Sequence, residues 1–169
     1  MKKKLYKNNN HSKLDLGNVK FEELPIWFQE SETYNASVSF DEYGKIVWGN
    51  GVWKSGTWHD GRWRTGTWLN GTWLGGIWKA GIWHNGIWHN GIWANGRHYN
   101  GTWLGGQWIT GCWKNGQWKN GSWNTGTWEN GIWLDGDWQR GKWLNGFWIN
   151  GTYRGKKCFG MKNDSCPIL

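Results

Sequence analysis

The chain has 169 residues and a formal net charge of +8, and it pairs 21 Trp and 28 Gly with only 2 Pro and 3 Cys. Its aromatic share of 18% excludes disorder over most of the length despite a mean hydropathy of −0.82, because disordered chains are poor in aromatics. No apolar run approaches the roughly 18 residues that a membrane span needs.

Residues 1–47 form a tail and cap. Met1-Lys2-Lys3-Lys4 leads into the polar run Lys7-Asn8-Asn9-Asn10 rather than an apolar signal core, so a soluble, cytoplasmic protein is expected. The first dozen residues read as a loose basic tail. Val19, Phe21, Leu24, Ile26, Trp27 and Phe28 around Pro25 supply apolar surface for a cap. Val38, Phe40, Ile46 and Trp48 alternate on either side of Asp41-Glu42-Tyr43-Gly44, the signature of a hairpin that ends where a new pattern begins at Trp48.

From residue 48 to 152 the chain repeats every five residues. Gly recurs without a miss from Gly51 to Gly151, and Trp occupies the matching position from Trp48 to Trp148 except at His98. The residue before each Gly is almost always Asn, Asp, Gly, Ser or Thr, Ala80 and Arg140 being the exceptions. A period of five fits neither a helix nor a flat strand, so the chain must bend once per repeat. The residue before Gly is expected to hold the positive φ of that bend. Equal corners coil the chain, and stacked coils pair their short strands about 4.8 Å apart, which gives a β-solenoid. With Trp inward, rings stack within the favourable aromatic range. The neighbouring Gly is expected to make room for them. Each indole then hides roughly 150–250 Å², and without that burial the segment has no core. The expected core is Trp53, Trp58, Trp63, Trp68, Trp73, Trp78, Trp83, Trp88, Trp93, Trp103, Trp108, Trp113, Trp118, Trp123, Trp128, Trp133, Trp138, Trp143 and Trp148. Residues 153–169, where the register fails, are a second cap or a tail.

The unit, as in Gly66-Thr67-Trp68-Leu69-Asn70, resembles that of the pentapeptide-repeat family, with Gly at the small position and Trp at the central one. That resemblance implies an all-β, right-handed quadrilateral β-helix of four pentads per coil and about five coils. More faintly, the chain resembles Trp-Gly repeat proteins of tailed bacteriophages, which implies a virion-associated or host-interaction role, in the host cytoplasm or the virion.

On four pentads per coil, residues 20 apart share a column. One side then carries Val52, Thr72, Ile92, Cys112 and Ile132 with Leu74 and Leu134, and its neighbour carries Leu69, Ile87, Ile109, Phe147 and Ile149. This apolar half is the candidate interaction face, because large exposed apolar patches mark contacts with a partner or a second copy. Arg62, Arg64, Lys79, Arg97, Lys119 and Lys142 fall on the other two sides. Thr57, Thr67, Thr72, Thr102 and Thr127 do not share one column, which argues against ice binding.

Little points to catalysis. His84 and His89 hold equivalent places in consecutive pentads, which face apart, so no metal site is expected. His98 puts an imidazole into the core as a tolerated packing defect. Cys112 has no activating base, the cysteines are too few for a disulfide scaffold and fit a reducing compartment, and a Cys158–Cys166 bridge stays open. No nucleophile triad, phosphate loop or cofactor motif is present. The expectation is a non-enzymatic structural or protein-interaction solenoid without cofactor, self-association being the simplest case. The alternatives are a carbohydrate- or cell-envelope-binding module, which Gly101-Thr102-Trp103 faintly resembles, and weak nucleic-acid binding through the basic half.

Overall fold

The computed structural model describes residues 6–159. It is nearly all β. A short strand β1 (His11–Ser12), a single helical turn α1 (Ile26–Gln29) and strand β2 (Glu32–Phe40) precede the longer β3 (Ile46–Ser55). Two-residue strands then come once per pentad, from β4 (Thr57–Trp58) to β23 (Thr152–Tyr153), and β24 (Lys156–Lys157) closes the described chain.

Each pentad keeps only the residue before Trp and the Trp itself extended, and spends the other three on a corner. The strands stack in parallel with partners fifteen residues apart: Trp58 with Trp73, Trp73 with Trp88, Trp88 with Trp103. Two backbone bonds per pentad hold each rung to the previous one, as where the Leu74 amide donates to the Trp58 carbonyl at 2.8 Å and the Ile87 amide to the Gly71 carbonyl at 2.9 Å. A coil therefore contains three pentads. Residues 48–152 make about seven turns of a parallel β-solenoid, a stack of roughly 34 Å at strand spacing.

This corrects the four-sided coil and the count of five turns. The reason lies in the rings. Each indole stacks on those fifteen residues away, as Trp88 on Trp103 at 4.7 Å and 5°. It also meets those five residues away edge to face, as Trp88 with Trp93 at 5.8 Å and 74°. Three such edge contacts close a pinwheel around the axis and fill it, whereas four rings at the same separation leave a void at the centre, which interiors do not tolerate.

The corner also differs from expectation. Positive φ sits on the glycine and not on the residue before it, for the only non-glycine residues with positive φ among those described are Lys13, Asn35 and Arg154. Gly86 shows why glycine is needed. Its φ is 126°, and a Cβ there would stand 2.2 Å from the Gly71 carbonyl oxygen of the coil before. The room that glycine supplies is thus first for backbone and only then for indole. The preceding Asn or Asp has another task at several corners, where its Oδ1 accepts the glycine amide, as Asn95 does for Gly96 at 2.8 Å.

The N-terminal end is covered. β2 runs antiparallel to β3 along the first coil, and Asp41 Oδ1 fixes the turn between them by accepting the amides of Tyr43 and Lys45. Phe28 lies over Trp53 at 5.8 Å, and Trp27 meets Trp58 edge-on at 5.1 Å. Buried His11 ties the cap together. Its Nε2 donates to the Gln29 carbonyl at 3.0 Å, which leaves Nδ1 to accept from the Thr33 hydroxyl at 2.8 Å. At the other end β24 turns back on β23, and the Cys158 carbonyl accepts the Trp148 indole N–H at 3.2 Å. Cys166, the second half of the bridge left open by the sequence, lies outside the described residues.

Candidate interaction face

Because Trp points inward, the residues flanking it point outward, and fifteen-residue columns sort them onto three faces. The first face has Arg62, Arg64 and Lys79 near its start and Asp137 near its end. The second carries Lys54, Arg97, Lys114 and Lys142 with one carboxylate, Glu129. The third is formed by β4, β7 (Thr72–Trp73), β10 (Ile87–Trp88), β13 (Thr102–Trp103), β16 (Gln117–Trp118), β19 (Ile132–Trp133) and β22 (Phe147–Trp148). Its outward residues include no carboxylate and a single lysine, Lys119.

Of the residues expected on one apolar half, Thr72, Leu74, Ile87, Ile132, Leu134, Phe147 and Ile149 share this third face. Val52 and Leu69 are on the second face, and Ile92 and Ile109 on the first. The predicted basic half likewise divides, with Lys119 standing on the apolar face itself. Thr57, Thr72 and Thr102 do share one column, interrupted by Ile87. All these shifts come from one cause, the shorter coil.

The second face holds a polar cluster. Lys114 Nζ donates to Glu129 Oε1 at 2.6 Å, and Cys112 Sγ donates to the same oxygen at 3.2 Å. Partial burial and then the Glu129 carboxylate push the Cys112 thiol above its ordinary range, the reverse of what a nucleophilic cysteine needs. His84 stacks on Tyr99 at 5.2 Å beside this cluster, while His89 faces away on the third face. Among the described residues no group of three or more His, Cys, Asp and Glu converges as metal ligands would.

Inside, every expected core Trp is buried except Trp143, which is half-buried in the last turn. Three indole N–H groups donate to carbonyls at the corner of the following coil, Trp83 to Asn100 at 3.2 Å, Trp108 to Thr125 at 3.1 Å and Trp128 to Asn145 at 3.0 Å, while most of the other buried indole N–H groups among the described residues make no hydrogen bond. His98 occupies a Trp position and is fully buried. Burial pushes its pKa down to about 3, and the Asn115 carbonyl pulls the other way without completing a hydrogen bond to either ring nitrogen. The imidazole is neutral and serves as a smaller plate in the stack.

One pattern is invisible on a twenty-residue coil. The residues after Trp on the third face run His59, Leu74, His89, Leu104, Lys119, Leu134 and Ile149, alternating basic and apolar as far as Leu134, and only a fifteen-residue coil brings them into one column. The thirty-residue spacing of His59, His89 and Lys119, and of Leu74, Leu104 and Leu134, is written in the sequence and ends at Ile149. No helix among the described residues is long and apolar enough to cross a membrane. No family model matches the chain, and neither does any curated protein or solved structure.

Proposed function

We propose that this chain is a non-enzymatic interaction solenoid, a stiff Trp-cored rod that binds through its third face. The observation that carries the reading is the charge contrast: seven stacked strands expose Thr, Ile, Leu and Phe without a carboxylate, beside two faces that carry most of the charged side chains. A rigid surface rich in apolar side chains, interrupted only by His59, His89, Gln117 and Lys119, favours contact with a partner. The other features support a structural role, since buried His98 is neutral and the Cys112 thiol is held in its unreactive form. A right-handed winding is part of the proposal, as the usual sense of parallel crossovers. A virion-associated or host-interaction setting is what the resemblance to phage Trp-Gly repeat proteins suggests.

The test is charge insertion. Leu74→Glu with Leu104→Glu on the third face should abolish association, read as self-association by sedimentation and as adducts of a photocrosslinker placed at Gln117. Ala94→Glu with Ile109→Glu on the first face should leave both unchanged. Equal effects from the two pairs would refute the assignment of the face.

A further inference from the structure

The strands of the third face expose one lysine and no carboxylate, and the corners on either side add little charge. One corner holds Asp60, which is paired with Lys45, and Asp135. The other is an unbroken column of six asparagines, Asn70, Asn85, Asn100, Asn115, Asn130 and Asn145, all exposed. Their carboxamides make no hydrogen bond among the described residues, whereas Asn95 and Asn120 at the other two corners accept the following glycine amide. The coil does not demand this column, because the corner between the first and second faces runs Thr65, Ala80, Asn95, Thr110, Thr125 and Arg140.

The leucines of the third face are placed symmetrically about its middle strand, β13. Leu74 and Leu134 lie two rungs to either side of Leu104, with His89 and Lys119 one rung away. The two ends differ. At the N-terminal end half-buried Trp27 stacks on His59 at 5.5 Å and 14°, a flat aromatic platform. At the C-terminal end Phe147 and Ile149 are 62% and 51% exposed, the most exposed large apolar side chains of the face.

We infer that two copies of this chain pair antiparallel through their third faces, about a dyad at Leu104. The inference rests on the third face being the binding surface and names its partner. In an antiparallel pair each column meets itself reversed. Leu104 meets Leu104 and Leu74 meets Leu134, while Phe147 and Ile149 of each copy cover the Trp27 and His59 platform of the other. The asparagine column also meets itself, and because a carboxamide both donates and accepts, that column is its own complement. A parallel pair would instead set Leu104 against Thr102 and lay the asparagines along the corner of Asp60 and Asp135. Lys119 stands opposite His89 and two rungs from its own copy, about 9.6 Å. A contact between copies of a chain with net charge +8 favours the face that carries least of it, since like charges set opposite one another repel. Seven rungs by one five-residue side cover roughly 34 by 16 Å, about 1,100 Å² over both copies, which reaches the lower bound of a specific contact.

The experiment is sedimentation of the purified full chain, which should show a dimer forming in the micromolar range. Leu104→Glu and Leu104→Lys should each weaken association at least about a hundredfold, because like charges then meet at the dyad, with circular dichroism unchanged. Mixing the two variants should restore the dimer. A photocrosslinker replacing Leu74, with one copy labelled with nitrogen-15, should join that position to the peptide around Leu134 of the other copy. Adducts to the peptide around Thr72 instead, or no recovery on mixing, overturn the inference. A dimer broken by Ala94→Glu with Ile109→Glu and not by Leu104→Glu overturns both the pairing and the choice of face. A wild-type monomer overturns the pairing alone: if the photocrosslinker at Gln117 still captures another molecule and the third-face glutamates remove that adduct, the interaction reading stands.

Discussion

His98 lies face to face with Trp113 at 3.9 Å between ring centroids, closer than any indole pair in the solenoid, and 5.9 Å from Trp83 on its other side. The imidazole has settled toward one neighbour and left the other side of its rung loosely packed. Replacing it with the residue found at the other twenty positions should restore even stacking. His98→Trp should raise stability by about 1–3 kcal/mol, the gain from burying the larger apolar ring, read as a higher midpoint in thermal or denaturant unfolding.

The same residue sets a pH dependence. Burial lowers the folded-state pKa of His98 from 6.5 to about 3, so below about pH 6.5 the unfolded chain binds a proton that the folded chain refuses. Stability is complete above that pH and declines as pH falls toward 3. This group alone should cost about 2 kcal/mol by about pH 5. His11, whose pKa burial also lowers against the opposing pull of the Gln29 carbonyl, adds in the same direction. Denaturation midpoints between pH 7 and pH 4 should therefore fall more steeply in wild type than in His98→Trp.

A third outcome concerns the corners. Gly86→Ala forces a side chain into φ 126° and against the Gly71 carbonyl, and strain and overpacking together should remove about 3–5 kcal/mol. Gly75→Ala, at a corner with neither constraint, should be neutral within about 0.5 kcal/mol. The pair, measured by chemical denaturation, separates glycines that the coil demands from those it does not.

Truncating a ring in the middle of the stack should be costly. Trp108 stacks on Trp93 at 4.9 Å and on Trp123 at 4.7 Å, and its N–H donates to the Thr125 carbonyl. Trp108→Ala should cost about 3–5 kcal/mol. Because each coil touches only its neighbours, hydrogen exchange should speed up first in the adjoining rungs. Wild-type Trp emission should be blue-shifted and poorly quenched by iodide, and a red-shifted, readily quenched spectrum would contradict a buried ring column.

The solenoid and the inward Trp are legible in the sequence because a five-residue period has few physical solutions and Trp is too large to leave outside. The number of pentads per coil is not. That number is set by how three edge-on rings such as Trp48, Trp53 and Trp58 close around an axis, a packing fact that spacing alone does not carry. A twenty-residue coil misassigns every column: it joins Ile92 and Ile109 to the apolar half and separates His59, Leu74 and His89. Local features are immune to that error, since the turn at Asp41–Gly44 and the isolation of His84 from His89 depend on neighbouring residues and not on the coil.

Cys112 offers a last check on the second face. Its thiol is raised first by burial and then by the hydrogen bond and charge of Glu129, with Lys114 and Arg97 opposing. The thiolate is the reactive form, so modification by a small disulfide reagent near neutral pH should be slower than for a free cysteine peptide. Glu129→Gln removes the negative charge and releases the Lys114 ammonium from its ion pair, and both changes favour the thiolate. The variant should react faster, with its rate rising at lower pH than in wild type. A rate unchanged by Glu129→Gln would mean that burial alone protects the sulfur and that the cluster has no electrostatic grip on it.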